Sequence, residues 1–168
     1  AWGFHRTRRT EPSAAERRGA RAGVGAARIK SDGSAARLEG SHAALDLGGI
    51  GVGYGLDQSA GVLRVRGIRS ALIDVSGDCI ASGAPPGESG WRVELARISP
   101  PLAPRRVVRL RDAALATSAN TESVVRYGNH VFGHILHPVT GIPSNARTQV
   151  PLSAPTAITA DAPPTPRP

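Results

Sequence analysis

Apolar and polar positions change along this chain in short blocks, and the blocks predict several strands with few helices. Pro12-Ser13 followed by Ala14-Ala15-Glu16 marks a helix start near Ser13. Ala27-Arg28-Ile29-Lys30 and Ala35-Ala36-Arg37-Leu38 flank the turn signal Asp32-Gly33 and predict a hairpin. Leu56, Ala60 and Leu63 recur at helical spacing on one face, with Gly67 placed to stop the helix. Residues 68–75 (IRSALIDV) read as a buried strand ending at Ser76-Gly77-Asp78. Trp91, Val93 and Leu95 alternate with Arg92, Glu94 and Ala96, the period of a strand with one face in water. Residues 107–110 look like its partner, across a loop broken by Pro100, Pro101 and Pro104. Residues 114–120 lead to a turn at Tyr127-Gly128-Asn129, a strand over 130–137, a turn at Thr140-Gly141 and a last strand near 148–152. The tail ADAPPTPRP holds too many prolines to stay regular. No internal repeat interrupts this order.

The length of 168 residues fits one domain or part of one. Aromatics are only 4 %, Met is absent, and there are 20 Gly and 14 Pro, so the core is expected to be thin in large side chains. A net charge of +8 invites a nucleic-acid or anionic-membrane reading. The arrangement argues against it. Lys30 is the only lysine, and the arginines are scattered apart from a run between Arg6 and Arg21 and the pair Arg105-Arg106. Arg used in place of Lys, with abundant Ala, Gly and Pro, looks like a chain-wide bias, and no nucleic-acid partner is expected. Cys79 is the only cysteine, so no intrachain disulfide forms. No apolar run approaches the roughly 18 residues needed to span a membrane. No signal-peptide pattern opens the chain, which begins at Ala1.

Three constellations carry candidate chemistry. Gly48, Gly49, Gly51, Gly53 and Gly55 form the densest glycine cluster. Such a cluster either serves close backbone packing or cradles a phosphate at a helix N-terminus. Its spacing fits neither G-x-G-x-x-G nor the P-loop pattern, which disfavours a standard dinucleotide fold. His130, His134 and His137 have a spacing that a helix would turn into a partial zinc site, but Gly128, Gly133 and Pro138 argue against a helix there. A single working histidine is the better expectation. Asp161 and Thr165, four residues apart, would share one face of a helical turn as a hard-oxygen pair suited to Mg²⁺.

Taken in order, the strings WGF (2–4), DLGGIGVGYGLD (46–57), SALIDVSGD (70–78), ALATSAN (114–120), HILHPVTGIP (134–143) and ITADA (158–162) resemble the ApbE family over essentially the whole chain. These are FAD:protein FMN transferases. The resemblance implies an α+β fold of mixed or antiparallel strands with packing helices, covering residues 1–162 as a partial domain, with 163–168 as an irregular tail. It also implies an Mg²⁺-dependent enzyme that moves FMN from FAD to a threonine of an acceptor protein and releases AMP. The acceptor expected from relatives is a membrane-bound redox subunit, and the location periplasmic or cell-envelope. His134 matches the family's catalytic histidine and is the candidate base. Asp161 and Thr165 match its metal pair, with the Gly49 carbonyl completing the protein share of the shell. Asp46, Val52, Leu136 and Thr140 fall where the family contacts FAD, and Thr117 and Ser118 match its ATS segment.

The chain also departs from the pattern. Val52 stands where a charged residue is usual, His137-Pro138 replaces Asp-Pro, Ser76 replaces a glycine, and Ala119-Asn120 replaces Gly-Asp. The Ser76 and Ala119-Asn120 changes are expected to be tolerated. Prolines at 163, 164, 166 and 168 follow ITADA where the family continues as a helix. The alternative expectation is therefore a truncated flavin-binding remnant without transferase activity.

Overall fold

The computed structural model describes residues 1–4, 8–25, 29–40, 43–95, 106–119, 123–137, 139–144 and 149–162. In chain order these form α1 (Ala14–Arg21), β1 (Ile29–Ser31), β2 (Ala36–Leu38), α2 (Gly51–Val65), β3 (Ala71–Val75), β4 (Asp78–Ser82) and β5 (Trp91–Glu94). They continue as β6 (Val107–Leu110), β7 (Ala113–Ala119), β8 (Val124–Tyr127), β9 (His130–Gly133), β10 (Gln149–Ala154) and α3 (Ala157–Asp161). Strand pairing among the described residues is antiparallel throughout, and the fold is α+β. The contacts divide the chain into two compact units: Ala1–Asp46 with Asn120–Arg147, and Leu47–Ala119 with Thr148–Pro168.

The second unit is built on a four-stranded sheet in the order β10-β7-β4-β3. Strand alternation sends Ile80, Ala114 and Ala116 to one face, where they pack against Leu56 and Ala60 of α2 and Ala157 and Ala160 of α3. Cys79, Ala81 and Leu115 face the other way and meet Leu110, Trp91, Val93 and Val108 of the β5–β6 hairpin. The helix-side core is mostly alanine, so the helices lie close to the sheet and to each other. This is the structural form of a composition poor in large side chains. Helix α2 ends as its sequence predicts: Gly67 has φ +80°, its N–H donates to the Arg64 carbonyl, and the Ile68 N–H donates to that of Leu63.

One sequence expectation changes here. The run at 68–75 predicts a buried strand, but β3 begins at Ala71 and is an edge strand, half-buried to exposed. The buried strand is its partner β4, with Cys79, Ile80 and Ala81 inside. A short apolar run does not disclose whether its strand is central, and β4 is masked by the polar Asp78 that opens it. The connecting turn places Ser76 at φ +55° and Gly77 at φ +98°, the left-handed conformations that a two-residue hairpin of this hand demands. Glycine at 76 would meet that demand without strain, so serine there carries a cost.

The first unit rests on Trp2, only 4 % exposed. Its indole N–H donates to the Gly141 carbonyl at 2.9 Å, and its own carbonyl accepts the Tyr127 hydroxyl at 2.6 Å. Phe132 packs 5.0 Å from its ring and the Arg17 guanidinium lies over it at 5.9 Å. Helix α1 starts at Ser13 as predicted, with a capping box to Glu16. The Ser13 N–H and the Arg8 guanidinium hold the Glu16 carboxyl down at about 2. The predicted hairpin is β1–β2; its Ala27-Arg28 start lies outside the described residues, as do the loop prolines 100, 101 and 104, Asn120 and Thr148.

The strand expected over 130–137 stops at Gly133. From there the chain forms a narrow ribbon on itself. The Ser144 N–H donates to the Ile135 carbonyl, the Gly133 N–H to that of Ser144, and the His137 N–H to that of Ile142. Leu136 bridges Pro143.

Replacing Ser76 by glycine is expected to stabilise the chain by about 0.5–1 kcal/mol, because the relief of left-handed strain exceeds the added unfolded-state entropy. Thermal or urea unfolding of the Ser76→Gly variant reads this directly; an unchanged or lower stability contradicts the strain at this turn.

Candidate functional site

The glycine cluster resolves into two parts. Gly48 and Gly49 lie in an exposed turn, whereas Gly51, Gly53 and Gly55 are already helical, because α2 starts at Gly51 behind Ile50, an N-cap with no side-chain cap bond. Gly53 is where α3 crosses. A Cβ there would stand 2.5 Å from the Ala157 carbonyl oxygen and 2.8 Å from the Asp161 Cβ, so only glycine fits. The Gly53 N–H, a first-turn donor without an intrahelical partner, donates to Oδ2 of Asp161 at 2.9 Å. In return, Asp57 on α2 caps α3. Its Oδ1 accepts the Ala157 N–H at 2.8 Å and its Oδ2 the Ile158 N–H at 3.0 Å. Thr156 completes the cap by accepting the Thr159 N–H. Each helix thus supplies the carboxylate that satisfies the other's N-terminal donors.

One end of the sheet adds a second carboxylate to this face. Asp78 opens β4 on the same side as Ile80, and its Oδ1 accepts the Thr117 N–H at 2.9 Å, just beyond the last paired residues of β4 and β7, Cys79 and Leu115. Burial is the main force raising its carboxyl above the ordinary 3.8, the Thr117 N–H opposes it, and the charges of Asp161 and Asp74 add to it. Cys79 beside it is fully buried, with its thiol pushed up to about 11, mainly by that burial, and is no nucleophile at neutral pH.

In the second unit, then, Asp161 sits at the end of α3, Gly49 in the turn before α2, and Thr117 and Ser118 at the end of β7. Ser118 is exposed, on the helix-side face by alternation with Ala114 and Ala116. Val52 is half-buried and packs on the apolar core. Thr165, expected beside Asp161, lies outside the described residues, as do the prolines of the tail. Helix α3 stops at Asp161, and Ala162 takes the extended backbone (ψ 96°) that a residue before proline prefers.

In the first unit, His134, Leu136 and Thr140 share the ribbon held by Trp2, all exposed, and Asp46 is exposed at that unit's boundary. The ribbon tip explains how His137 replaces an aspartate. Its Nδ1 accepts the Val139 and Thr140 N–H groups at 3.2 and 3.3 Å, the local turn bonds that an Asp carboxylate makes in an Asx turn. Pro138 lies outside the described residues. The three histidines do not assemble a zinc site: among the described residues no group of three or more His, Cys, Asp or Glu is placed to hold a metal.

Mg²⁺ needs less than such a group. It takes one or two carboxylates and completes its shell with water and substrate phosphate oxygens. Asp161 and Asp78, two carboxylates whose charges repel, are chemically suited to it. Sequence reasoning missed Asp57 and Asp78, and it offered close backbone packing for the glycine cluster without singling out Gly53. The first two lie inside quoted motifs, at the end of GYGLD and of VSGD, and an acidic residue ending a glycine-rich string was the available signal.

An α+β unit with a glycine-hinged helix pair and an acidic sheet end is the class of domain defined here. The chain matches the ApbE family model over residues 1–166 and belongs to the ApbE family. It is 26 % identical to an FAD:protein FMN transferase of Vibrio cholerae over 149 residues, which cover 87 % of this chain and 45 % of that protein. It is 32 % identical to the FAD:protein FMN transferase of Treponema pallidum over 128 residues, covering 70 % and 35 %. Among solved structures, the ApbE protein of Thermotoga maritima matches with a TM-score of 0.84 at 26 % identity, over 96 % of this chain and 53 % of that one. The flavin transferase ApbE of Vibrio cholerae matches at 0.80 and 27 %, over 96 % and 52 %. The chain therefore spans about half the length of the relatives it matches, or less.

Two outcomes follow from this geometry. Gly53→Ala is expected to lower stability by about 1–3 kcal/mol through overpacking against α3 backbone, despite alanine's better helix propensity. Gly55→Ala, with nothing within 4 Å of the new Cβ, should raise it by up to about 1 kcal/mol. Denaturant unfolding of the pair checks this, and equal effects at both positions contradict the close crossing. The second outcome is a pH dependence. The folded chain holds the Asp78 proton more tightly than the unfolded chain, so this group favours folding below pH 3.8 and that contribution is lost as pH rises through the raised folded value. Stability curves from pH 3.8 upward should contain a falling component that is absent from Asp78→Asn; identical slopes contradict it.

Proposed function

We propose that this chain carries the flavin-transfer site of an enzyme that moves FMN from FAD to a threonine hydroxyl of an acceptor protein, with Mg²⁺ required and AMP released. The observation that carries this reading is the Asp161 carboxylate fixed at the N-terminus of α2 by the Gly53 N–H, within a chain whose motif order runs through the ApbE family. The names of its relatives, FAD:protein FMN transferase, supply the substrate and the protein acceptor.

Asp161, with the Gly49 carbonyl and Thr165, is assigned to the cation. Mg²⁺ supplies charge neutralisation for the pyrophosphate, which the acidic site alone would repel. The main chain at Thr117 and Ser118, the positions at Asp46 and Val52, and Leu136 and Thr140 on the ribbon are assigned to FAD. His134 is assigned as the base. As the threonine Oγ–P bond forms and the P–O bond to AMP breaks, the hydroxyl proton passes to its imidazole, which is a competent acceptor near neutral pH. Trp2 acts behind it by fixing the ribbon at Gly141. The acceptor proposed is a subunit of a membrane-bound redox protein, met in the periplasm or cell envelope.

A second reading, a flavin-binding remnant without transferase activity, is favoured by one observation: Val52 packs on the core where the family pattern has a charged side chain.

The readings separate when the chain is incubated with FAD, Mg²⁺ and an acceptor bearing the target threonine. Covalent flavin fluorescence on the acceptor in a denaturing gel is expected, lost on chelation of the metal, and lowered by about 10²–10⁴-fold in His134→Ala with FAD binding retained. Bound but untransferred flavin favours the remnant; undiminished transfer by His134→Ala contradicts the base assignment.

A further inference from the structure

Asp78 belongs to no motif role assigned above, yet it bonds one part of the proposed site and its charge acts on another. The Ser76–Gly77 turn carries the β4 main chain away from β7 just where the Thr117 N–H would look for a strand partner. The Asp78 side chain takes that donor instead, at 2.9 Å. It therefore ties the Thr117–Ser118 end of β7 to β4 on the edge opposite β10, where Pro151 and Val150 already pair with these two residues. Asp78 also stands on the helix-side face with Ile80, whose cluster includes Ala157 and Ala160 of α3, the helix that ends in Asp161. A carboxylate at this point does two separable things. Its oxygen holds a main-chain N–H, and its charge adds to that of Asp161.

We propose that Asp78 is a positioning residue for the flavin nucleotide, holding the Thr117–Ser118 main chain in place while its charge makes the Asp161 site accept the pyrophosphate only together with a divalent cation. This deepens the transferase reading and rests on it. The physical argument is one of sign. Two neighbouring carboxylates attract a divalent cation more strongly than one and repel a bare pyrophosphate more strongly than one. Removing one charge while keeping the hydrogen bond should therefore move the two affinities in opposite directions. Loss of a purely structural residue would weaken both.

Asp78→Asn separates these functions, because the amide oxygen still accepts the Thr117 N–H while the charge is gone; Asp78→Ala removes both. Three readouts apply to the 168-residue chain: Mn²⁺ binding by electron paramagnetic resonance, FAD binding with and without metal by flavin fluorescence, and exchange of the Thr117 amide. For Asp78→Asn, Mn²⁺ affinity should fall at least about fivefold, metal-free FAD affinity should rise, and Thr117 protection should persist. For Asp78→Ala, Thr117 protection should fall and FAD affinity with metal should drop. Unchanged Mn²⁺ and metal-free FAD affinities in Asp78→Asn, with a wild-type chain that binds both ligands, overturn this inference alone. A wild-type chain that binds neither Mn²⁺ nor FAD overturns the transferase reading and this inference with it.

Discussion

The second unit depends on how closely two helices cross. At Gly53 the backbone of α2 meets that of α3 with no room for a Cβ, and that contact brings the Gly53 N–H onto the Asp161 carboxylate. The same crossing lets Asp57 reach the first N–H groups of α3. Both helices thereby receive negative charge at their N-terminal ends, where the helix dipole favours it. Helix α3 has only five residues, too few to persist by itself, and its place is fixed by this clasp and by the alanines beneath it. Asp161 is consequently held in place by the fold itself.

A comparable economy governs the first unit. Trp2 joins the WGF string near the start of the chain to Gly141 of the HPVTG string, and Tyr127 grips Trp2 from the β8–β9 hairpin. One buried indole thus orders the ribbon that presents His134 and Thr140. At its tip the imidazole of His137 makes the turn bonds of an aspartate through Nδ1.

Much of this was legible in the sequence because it is local. Ser13 with Glu16, Asp32-Gly33, and Gly67 after the Leu56–Ala60 face are punctuation with short-range mechanisms, and each lies where it was read. The β5–β6 pair was legible from its period of two. What escaped the sequence depends on partners far along the chain. That β4 rather than β3 is buried is decided by β7 pairing on its other side. That Gly53 serves helix packing is decided by Ala157, about a hundred residues later. The strand expected through His137 stops at Gly133; the Thr140-Gly141 turn was legible, but the bonds of Gly133 and Ile135 to Ser144 across it were not. The change to Ser76 from the family's glycine is expected to be tolerated, and its φ of +55° gives the backbone cost at which it is. The sequence offers the candidate site only as motif positions; the bonds of Asp57 and Asp78 were not legible, since each acts on a main-chain N–H distant in sequence.

The central claim is that the clasped Asp161 is the cation end of a flavin-nucleotide site. It is tested most directly by a crystal structure of the chain with Mn²⁺ and FAD, read by anomalous scattering from the metal. The account predicts a peak about 2.1–2.2 Å from an Asp161 carboxylate oxygen, with the Gly53 N–H bond to Oδ2 intact and the FAD pyrophosphate on the same ion. Bound FAD with no metal at Asp161, or metal there only after the α2–α3 clasp has opened, would contradict it.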